Sequence, residues 1–250
     1  MQKLEKLKKI LAVAAALAVW QAAAMLLGHD ILLVSPIKVL ARLATIWREP
    51  GFFAAVGFTL WRIVAGFFLG FTAGCLLAIL AGRFRIVETL LWPYMITIKS
   101  VPVASFIIIC LIFLSSSTLS IFISFLMVLP VIYQNVLQGI QSADPQLLQM
   151  AQVFAVPWRR RFFYILLPRV KPFLLSACSV ALGLSWKAGV AAEVIGIPDG
   201  SIGEMLYQSK VYLDTDDLFA WTVIIVLASV AFEKLFLFIL KKGFAWMEKR

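Results

Sequence analysis

The stretch DPQLLQMAQVFAVPWRRRFFYILLPRVK, from Asp144 to Lys171, decides how the rest of the chain is arranged. It is the longest segment outside the N-terminal third that is too charged to lie in a bilayer, and long apolar runs flank it on both sides. A charged side chain deep in the hydrocarbon is costly, so such a stretch belongs at the membrane surface. We call residues 144–171 the central segment and predict that it joins two membrane-spanning helices on one side of the membrane.

The composition is that of an integral membrane protein. Of the 250 residues, 62% are apolar and only 14% are charged, whereas about a quarter of a soluble domain is charged. The net charge of +10 would suit a nucleic-acid-binding protein. In a membrane protein it is better explained by cytoplasmic loops, which collect Lys and Arg. We therefore predict a membrane lipid environment and no nucleic-acid partner.

The apolar runs predict an all-helical protein with about six membrane spans. About 20 residues cross the hydrocarbon, so the uncharged stretch from Ser100 to Ala143 must hold two spans, with the polar residues 115–118 at the turn between them. The first run resembles a signal peptide, but its length favours an uncleaved span. The spans are placed at residues 10–28, 59–82, near 100–114, near 119–138, 172–195 and 218–240.

Two local patterns predict how these helices begin and pack. The pair Ser35-Pro36 predicts the start of a short amphipathic helix on the outer membrane surface, with Ser35 as the N-cap. Gly66, Gly70 and Gly74 recur every four residues in the second span. Such a stripe of small residues lets helix backbones approach closely in lipid.

The basic residues predict which side of the membrane each segment faces. They concentrate at both termini, in residues 83–99 and in the central segment. The segments assigned to the outside hold only Lys38, Arg42, Arg48, Arg62 and Lys210. Both termini and residues 139–171 are therefore predicted to be cytoplasmic. Residues 83–99 are predicted to form an inner loop in which Pro93 and Pro102 break or kink any helix.

Two intramembrane charges in the fifth span are candidates for function. Lys187 lies mid-span and can attract an anion, and Glu193 lies near the outer end. Charges at such depths usually face a pathway or a partner. The alternatives are that Lys187 pairs with a carboxylate or extends to the interface, and that Glu193 has a packing role. Ser185 and Trp186 are further candidates for lining the same pathway.

The central segment resembles the EAA loop of the membrane subunit of binding-protein-dependent ABC importers. That loop reads Glu-Ala-Ala, three residues, Gly, nine residues, Ile, one residue, Leu-Pro. Here Gln149-Met150-Ala151 stands at the first three positions, Ala155 at the Gly position, and Ile165 with Leu167-Pro168 at the end. The departures are Gln149 for Glu, Met150 for Ala and Ala155 for Gly. A turn that needs a positive φ would be strained at Ala155, unless Pro157 makes the bend instead.

The resemblance extends from about Ser35 to Leu240 and is closest to the nitrate, sulfonate and taurine type of permease. It includes Thr59-Leu60-Trp61-Arg62 with Gly66, Ala192-Glu193 with Gly196, Ser201-Ile202-Gly203 and Asp214-Thr215-Asp216. It implies the type I importer fold in a single membrane domain. Residues 1–34 would form the first span and an outer segment, and residues 35–250 the core permease unit.

The resemblance also implies the partners. Two copies of the chain would form the pathway in the plasma membrane, and two ATPase subunits would dock on the cytoplasmic loops. A periplasmic or lipid-anchored binding protein would deliver the substrate. The sequence holds no Gly-x-x-x-x-Gly-Lys-Ser/Thr motif, so ATP and Mg²⁺ are expected on the partner ATPase, with no cofactor, metal or catalytic residue in this chain.

The residues expected to couple the chain to the ATPase lie in the central segment. They are Gln149, Met150, Ala151, Phe154, Ala155, Pro157, Trp158, Arg159, Arg160 and Pro168. The branch implies a small, anionic substrate. A thiamine-precursor pyrimidine or another small nutrient is the alternative for the same role. A stand-alone secondary transporter is the alternative of another class, but no clear inverted repeat is found.

Overall fold

The computed structural model describes residues 2–28 and 33–248 of the chain. The described part contains eleven α-helices and one π-helical turn. The helices are α1 (Gln2–Leu27), α2 (Pro36–Ile46), α3 (Phe52–Arg83), α4 (Arg85–Ser100), α5 (Val103–Phe113), α6 (Ser116–Gln141), α7 (Pro145–Val153), α8 (Trp158–Arg161), α9 (Leu167–Gly196), α10 (Ile202–Val211) and α11 (Thr215–Glu248), with the π turn at Phe162–Leu166.

The core of the molecule is the packing of α3, α6 and α9. A Cβ atom on Gly66 would lie 2.4 Å from the carbonyl oxygen of Ile121, and one on Gly70 would lie 2.7 Å from Cβ of Val128. On the other side of α6, a Cβ on Gly189 of α9 would lie 2.6 Å from Oγ of Ser124. The predicted glycine stripe is therefore confirmed as a helix contact, since only residues without a side chain permit this approach.

Within residues 2–28 and 33–248, four helices are long and apolar enough to cross a membrane: α3, α6, the continuous run Trp158–Gly196, and Thr215–Met247 of α11. The pair α4 and α5 makes a fifth span if it is counted as one broken helix, bent by 106°. The apolar part of α1, Leu11–Leu27, is shorter. The all-helical membrane architecture is confirmed, while the count of six spans and the position of the termini stay predictions.

The region before the predicted third span differs from expectation. Residues 83–99 were expected to form an inner loop, but Arg85–Ser100 is a helix that contains Pro93. The fixed φ of proline fits an α-helix, at the loss of one backbone hydrogen bond. The break comes at Val101, whose ψ of 130° is extended, as expected for a residue that precedes proline. The span predicted near 100–114 is thus the short helix α5, which follows a sharp bend.

Arg62 was counted with the outer segments, although the predicted span 59–82 already includes it. Helix α3 begins at Phe52, seven residues before the predicted start of the span, so Arg62 lies within the spanning helix. Its side chain is buried, with 8% of its surface exposed. The side of the membrane on which Arg62 lies stays a prediction, but its side chain is buried in the folded chain rather than exposed in a loop.

Helix α2 begins as predicted and is attached to α11. Oγ of Ser35 accepts a hydrogen bond from the backbone N–H of Lys38 at 3.4 Å, and Pro36 is the first helical residue. The guanidinium of Arg42 donates to Asp217 at the start of α11, and also to Glu49. The hydrogen bond to Asp217, more than that to Glu49, raises the pKa of Arg42 above its ordinary value. Arg42 therefore stays charged wherever the protein is folded.

Candidate functional site

Helix α7 occupies one end of the bundle, between α6 and α9, and α10 lies at the other end of α9. We call these the α7 end and the α10 end. Asp144 caps α7, since its Oδ1 accepts a hydrogen bond from the backbone N–H of Gln146 at 2.8 Å. Pro145 is the first helical residue, where its missing N–H costs nothing. This dipeptide therefore starts a helix of nine residues within the central segment.

One face of α7 is apolar and exposed. Ala151 is packed inward and only 1% exposed, whereas Val153 and Phe154 are 82% and 74% exposed. Met150 is half exposed, and Gln149 is exposed beside it. Large apolar side chains that cluster on a short surface helix indicate a site for another protein. Of the predicted coupling residues, Ala151 alone points into the molecule.

The turn after α7 has the geometry that the EAA pattern assigns to glycine. The backbone N–H of Val156 donates to the carbonyl of Ala151 at 2.9 Å, and that of Ala155 to the carbonyl of Gln152 at 3.0 Å. These two bonds define a Schellman motif, in which the residue after the cap is left-handed and usually glycine. Ala155 has a φ of +51°, so the strain expected there is present. Pro157 follows as the N-cap of α8 rather than replacing the turn.

The remaining coupling residues lie beside the turn, near the end of α11. Trp158 stacks on Phe162 with ring centroids 5.6 Å apart. A cavity of about 520 Å³ separates the start of the Trp158–Gly196 run from the end of α11. The lining residues are Arg159, Arg160, Phe163, Tyr164, Leu167, Pro168, Trp246 and Met247. Arginine and aromatic side chains thus surround an open groove at the α7 end.

The four candidate pathway residues on α9 differ in their exposure to solvent. Lys187 is exposed on the surface of the single chain, while Ser185, Trp186 and Glu193 are buried within it. Oγ of Ser185 donates to the carbonyl of Leu182 in its own helix, and Oγ of Ser124 donates to the carbonyl of Ser185. Lys187 is therefore the one of the four that a second subunit or a solute can reach directly.

Glu193 is the centre of a buried polar cluster at the α10 end. The hydroxyl of Thr59 donates to Oε2 of Glu193 at 2.7 Å and accepts from the backbone N–H of Ile202 at 3.0 Å. Arg62 lies close enough to interact electrostatically with Glu193, and its guanidinium covers the ring of Phe58 at 3.6 Å. Sequence reasoning noted the Thr59–Arg62 stretch only for its resemblance. The position of Arg62 one helical turn before Gly66, where the glycine stripe begins, is the signal that could have placed it in the interior.

A second intramembrane carboxylate escaped the sequence analysis. Glu233 lies well inside α11, and Oγ of Ser179 on α9 donates to its Oε1 at 2.6 Å. The rule that a charge within a span needs a partner applies to it as well. Glu233 was overlooked although it lies within the predicted span 218–240.

The comparisons with known proteins agree with this geometry. The sequence profile of the family "Binding-protein-dependent transport system inner membrane component" matches residues 70–244. The putative aliphatic sulfonates transport permease protein SsuC of Bacillus subtilis is 25% identical, covering 87% of this chain and 79% of that protein. The taurine transport system permease protein TauC of Escherichia coli is 27% identical, covering 92% and 83%.

A nitrate import permease and a solved structure add to these findings. The nitrate import permease protein NrtB of Synechococcus elongatus is 28% identical, covering 77% of this chain and 72% of that protein. A crystal structure of an amino acid ABC transporter with histidines superposes with a TM-score of 0.55 at 17% identity, covering 83% of this chain and 97% of that chain. At this identity the superposition establishes a shared fold.

Proposed function

The chain belongs to the family of binding-protein-dependent transport system inner membrane components, and we propose that it forms the pathway for a small anion in an ATP-driven importer. It is a multi-pass protein of the plasma membrane and the permease component of an ABC importer, rather than its ATPase. Its family works with an ATPase and with a substrate-binding protein. The observation that carries the proposal is helix α7, with its exposed apolar face and its glycine-type turn.

Coupling to the ATPase would act through α7. Residues 142–144 join α7 to α6, and residues 154–157 join it to the helical run that continues into α9. A force that a partner applies to the exposed face of α7 is therefore transmitted to both α6 and α9. A helix that offers large apolar side chains fits a hydrophobic groove in a partner. Because Gln149 is neutral, we propose that Val153 and Phe154, with Arg159 and Arg160, supply more of the contact than in relatives with the Glu-Ala-Ala pattern.

The assembly would contain two copies of the chain, two ATPase subunits and one external binding protein. ATP and Mg²⁺ would be bound by the ATPase subunits, because the sequence lacks the phosphate-binding motif. Closure of the ATPases would bring the two α7 helices together and open the pathway toward the binding protein.

Lys187 supports a pathway for anions. It lies nine residues before the end of α9 at Gly196, which places it about 13 Å below the α10 end at about 1.5 Å per residue. An exposed ammonium at this depth is costly against lipid, which favours a second copy or water in the pathway as its surroundings. The named substrates of the three relatives (aliphatic sulfonates, taurine and nitrate) each carry an anionic group, which a lysine attracts. Ser185 and Trp186 lie beside it and would hold its helix in place.

The coupling assignment is tested with exposed residues of α7. The chain is co-expressed with the ATPase encoded beside it, and ATPase co-purification and ATP hydrolysis are measured for Val153→Asp and Phe154→Asp. Both are expected to lose the ATPase while the permease still elutes as a folded protein. Gln146→Asp, which adds the same charge to the exposed polar start of α7, is the control and is expected to retain it. Full ATPase recovery with both apolar-face variants would refute the assignment.

The substrate assignment is tested by transport. The importer is reconstituted with its binding protein, and uptake of taurine, an alkanesulfonate and nitrate is measured. Lys187→Gln is expected to lower uptake about tenfold, which corresponds to about 1.4 kcal/mol of lost interaction. Lys234→Gln, which removes an exposed lysine from α11, is the control. Unchanged anion uptake with Lys187→Gln would refute the role of Lys187, and uptake of none of the three compounds by the unmodified importer would favour the pyrimidine alternative.

A further inference from the structure

Four polar side chains are buried together where α3, α6 and α9 meet α10. Thr59, Ser120 and Glu193 are fully buried, and Arg62 is 8% exposed. Each comes from one of the three core helices, and α10 covers them from the outside in the predicted topology. Burial of this many polar groups is costly unless they serve one another or a function.

The hydroxyl of Thr59 connects three helices, α3, α9 and α10, through hydrogen bonds. It accepts from the backbone N–H of Ile202, the first residue of α10, and donates to Oε2 of Glu193 on α9. The N–H groups in the first turn of a helix have no acceptor within the helix. The start of α10 therefore depends on this hydroxyl from α3, and the hydroxyl in turn fixes the carboxylate of α9.

The start of α10 is otherwise rigid and pressed against α9. Oγ of Ser201 accepts from the backbone N–H of Glu204 at 2.9 Å, and the Glu204 carboxylate accepts from the backbone N–H of Gly200 at 2.6 Å. This resembles a capping box, except that the carboxylate accepts from the residue before the N-cap rather than from the N-cap itself. A Cβ on Gly203 would lie 2.3 Å from Cβ of Glu193, so the two helices touch through their backbones. A displacement of α10 is thus transmitted to α9 at Glu193.

The cluster is not fully hydrogen-bonded in this conformation. Among the residues that the structure describes, Nη1 of Arg62 is buried without a hydrogen-bond partner, whereas Oγ of Ser120 and the backbone N–H of Gly203 lie close enough to Glu193 to stabilise its carboxylate. Unused buried donors and acceptors raise the free energy of a conformation. The link from α9 toward α10 is also strained, since Ile197, a β-branched residue, has a φ of +45°. The unpaired guanidinium nitrogen and the strained link both reduce the free energy needed to move α10 away from this position.

We propose that Thr59, Arg62 and Glu193 form a latch that holds α10 against α3 and α9 and keeps the outer end of the pathway closed. An external binding protein that docks on α10 opens the latch, and the outer end of α9, the helix that carries Lys187, becomes free to move. The three residues are positioning residues, and Glu193 acts from the interior rather than by touching solute. The inference rests on the proposed importer function.

The test compares Thr59→Val, which keeps the shape of the side chain and removes the hydroxyl, with Thr59→Ser, which keeps the hydroxyl. Each variant is reconstituted in lipid nanodiscs with the ATPase. ATP hydrolysis is measured alone and with the binding protein, which is loaded in turn with taurine, an alkanesulfonate or nitrate. Thr59→Val is expected to raise the unstimulated rate about fivefold and to reduce the stimulation by the binding protein. Thr59→Ser is expected to behave as the unmodified chain does.

Each outcome of this experiment either supports or overturns the latch. An unstimulated rate of Thr59→Val at the level of the unmodified chain, or an equal rise in Thr59→Ser, overturns the latch. A purely structural role would lower the amount of assembled complex without raising its unstimulated rate. If Thr59→Val does not assemble, the near-isosteric Glu193→Gln decides, and an unchanged unstimulated rate then overturns the proposal. If the unmodified chain neither binds the ATPase nor responds to the binding protein, the proposed function fails, and the latch fails with it.

Discussion

Replacing Gly66 by alanine is expected to force α3 and α6 apart. The new Cβ would lie 2.4 Å from the carbonyl oxygen of Ile121 and 2.7 Å from Cβ of Ser124, where ordinary contact begins at 3.4 Å. The carbonyl is backbone and cannot rotate away, so the helices must separate by up to about 1 Å. In lipid, helix association rests on packing rather than on the hydrophobic effect. A gap of about 0.5–1 Å forfeits a quarter to a half of each dispersion contact along the interface.

The magnitude follows from two opposing effects. Inserting a methyl group into a well-packed site costs about 1–3 kcal/mol, and the upper part of that range applies because the obstacle is backbone. Alanine returns about 1 kcal/mol through its higher helix propensity. The net loss is therefore about 1–2 kcal/mol. For a chain of this size it corresponds to a fall of roughly 2–8 °C in the unfolding midpoint.

The assay is thermal unfolding of the purified chain in detergent, followed by gel filtration of the remaining folded protein. Gly57→Ala is the matched control, since it lies in the same helix and its Cβ would meet nothing within 4 Å. It is expected to unfold at the same temperature as the unmodified chain or slightly above. Gly70→Ala and Gly74→Ala, with shortest Cβ contacts of 2.7 and 3.0 Å, should fall between Gly66→Ala and the control. A midpoint for Gly66→Ala at or above that of Gly57→Ala would refute the reasoning.

Three further changes are predicted from single contacts. Ala155→Gly is expected to stabilise the chain by about 0.5–1 kcal/mol. The left-handed φ costs an L-residue about 1–2 kcal/mol, and the greater conformational entropy of glycine in the unfolded chain offsets part of the stabilisation. A lower unfolding midpoint would contradict this. Arg42→Lys is expected to cost about 0.5–1 kcal/mol, because lysine cannot bind Asp217 through two donors. Because the pKa of Arg42 is raised in the folded chain, its ion pair stabilises the fold fully at every pH below the pKa of arginine in the unfolded chain. The stability lost in Arg42→Lys should therefore be constant across neutral pH and smaller in high salt. A loss of stability that varies with pH near neutrality would count against the ion pair. Ser179→Ala is expected to cost about 1–3 kcal/mol, because it removes the hydroxyl that donates to Glu233 inside the membrane. Adding Glu233→Leu should recover part of the lost unfolding temperature. If it recovers none, Ser179 acts through packing.

The local features of the central segment could be predicted because they depend on neighbouring residues. Asp144 and Pro145 start α7, and a positive φ arises at position 155, where the EAA pattern has glycine. The glycine stripe of α3 was readable for the same reason, since a spacing of four residues puts Gly66, Gly70 and Gly74 on one face of any helix. Each of these predictions needed only the geometry of one helix or one turn.

The predictions that failed or stayed incomplete depend on what packs against a residue. Pro93 was expected to break a helix, yet the surrounding structure accepts it within α4. Arg62 was counted with the outer segments, and the sequence does not show that its side chain is buried near Glu193 of α9. Among the described residues, Ser185 and Glu193 face the interior and Lys187 faces outward, and this division depends on how α9 is rotated against its neighbours.

Sequence alone was enough to predict an all-helical membrane protein, a central segment that resembles the EAA loop of ABC importers, and charges within the spans. These properties follow from composition, hydrophobic run length and motif spacing, which need no knowledge of distant contacts. Only the tertiary structure decided that Thr59, Arg62 and Glu193 meet beneath α10, since Thr59 and Glu193 are 134 residues apart in the chain. A hydrogen bond between such residues exists only when α3, α9 and α10 are packed together, and neither residue carries a local signal of the other.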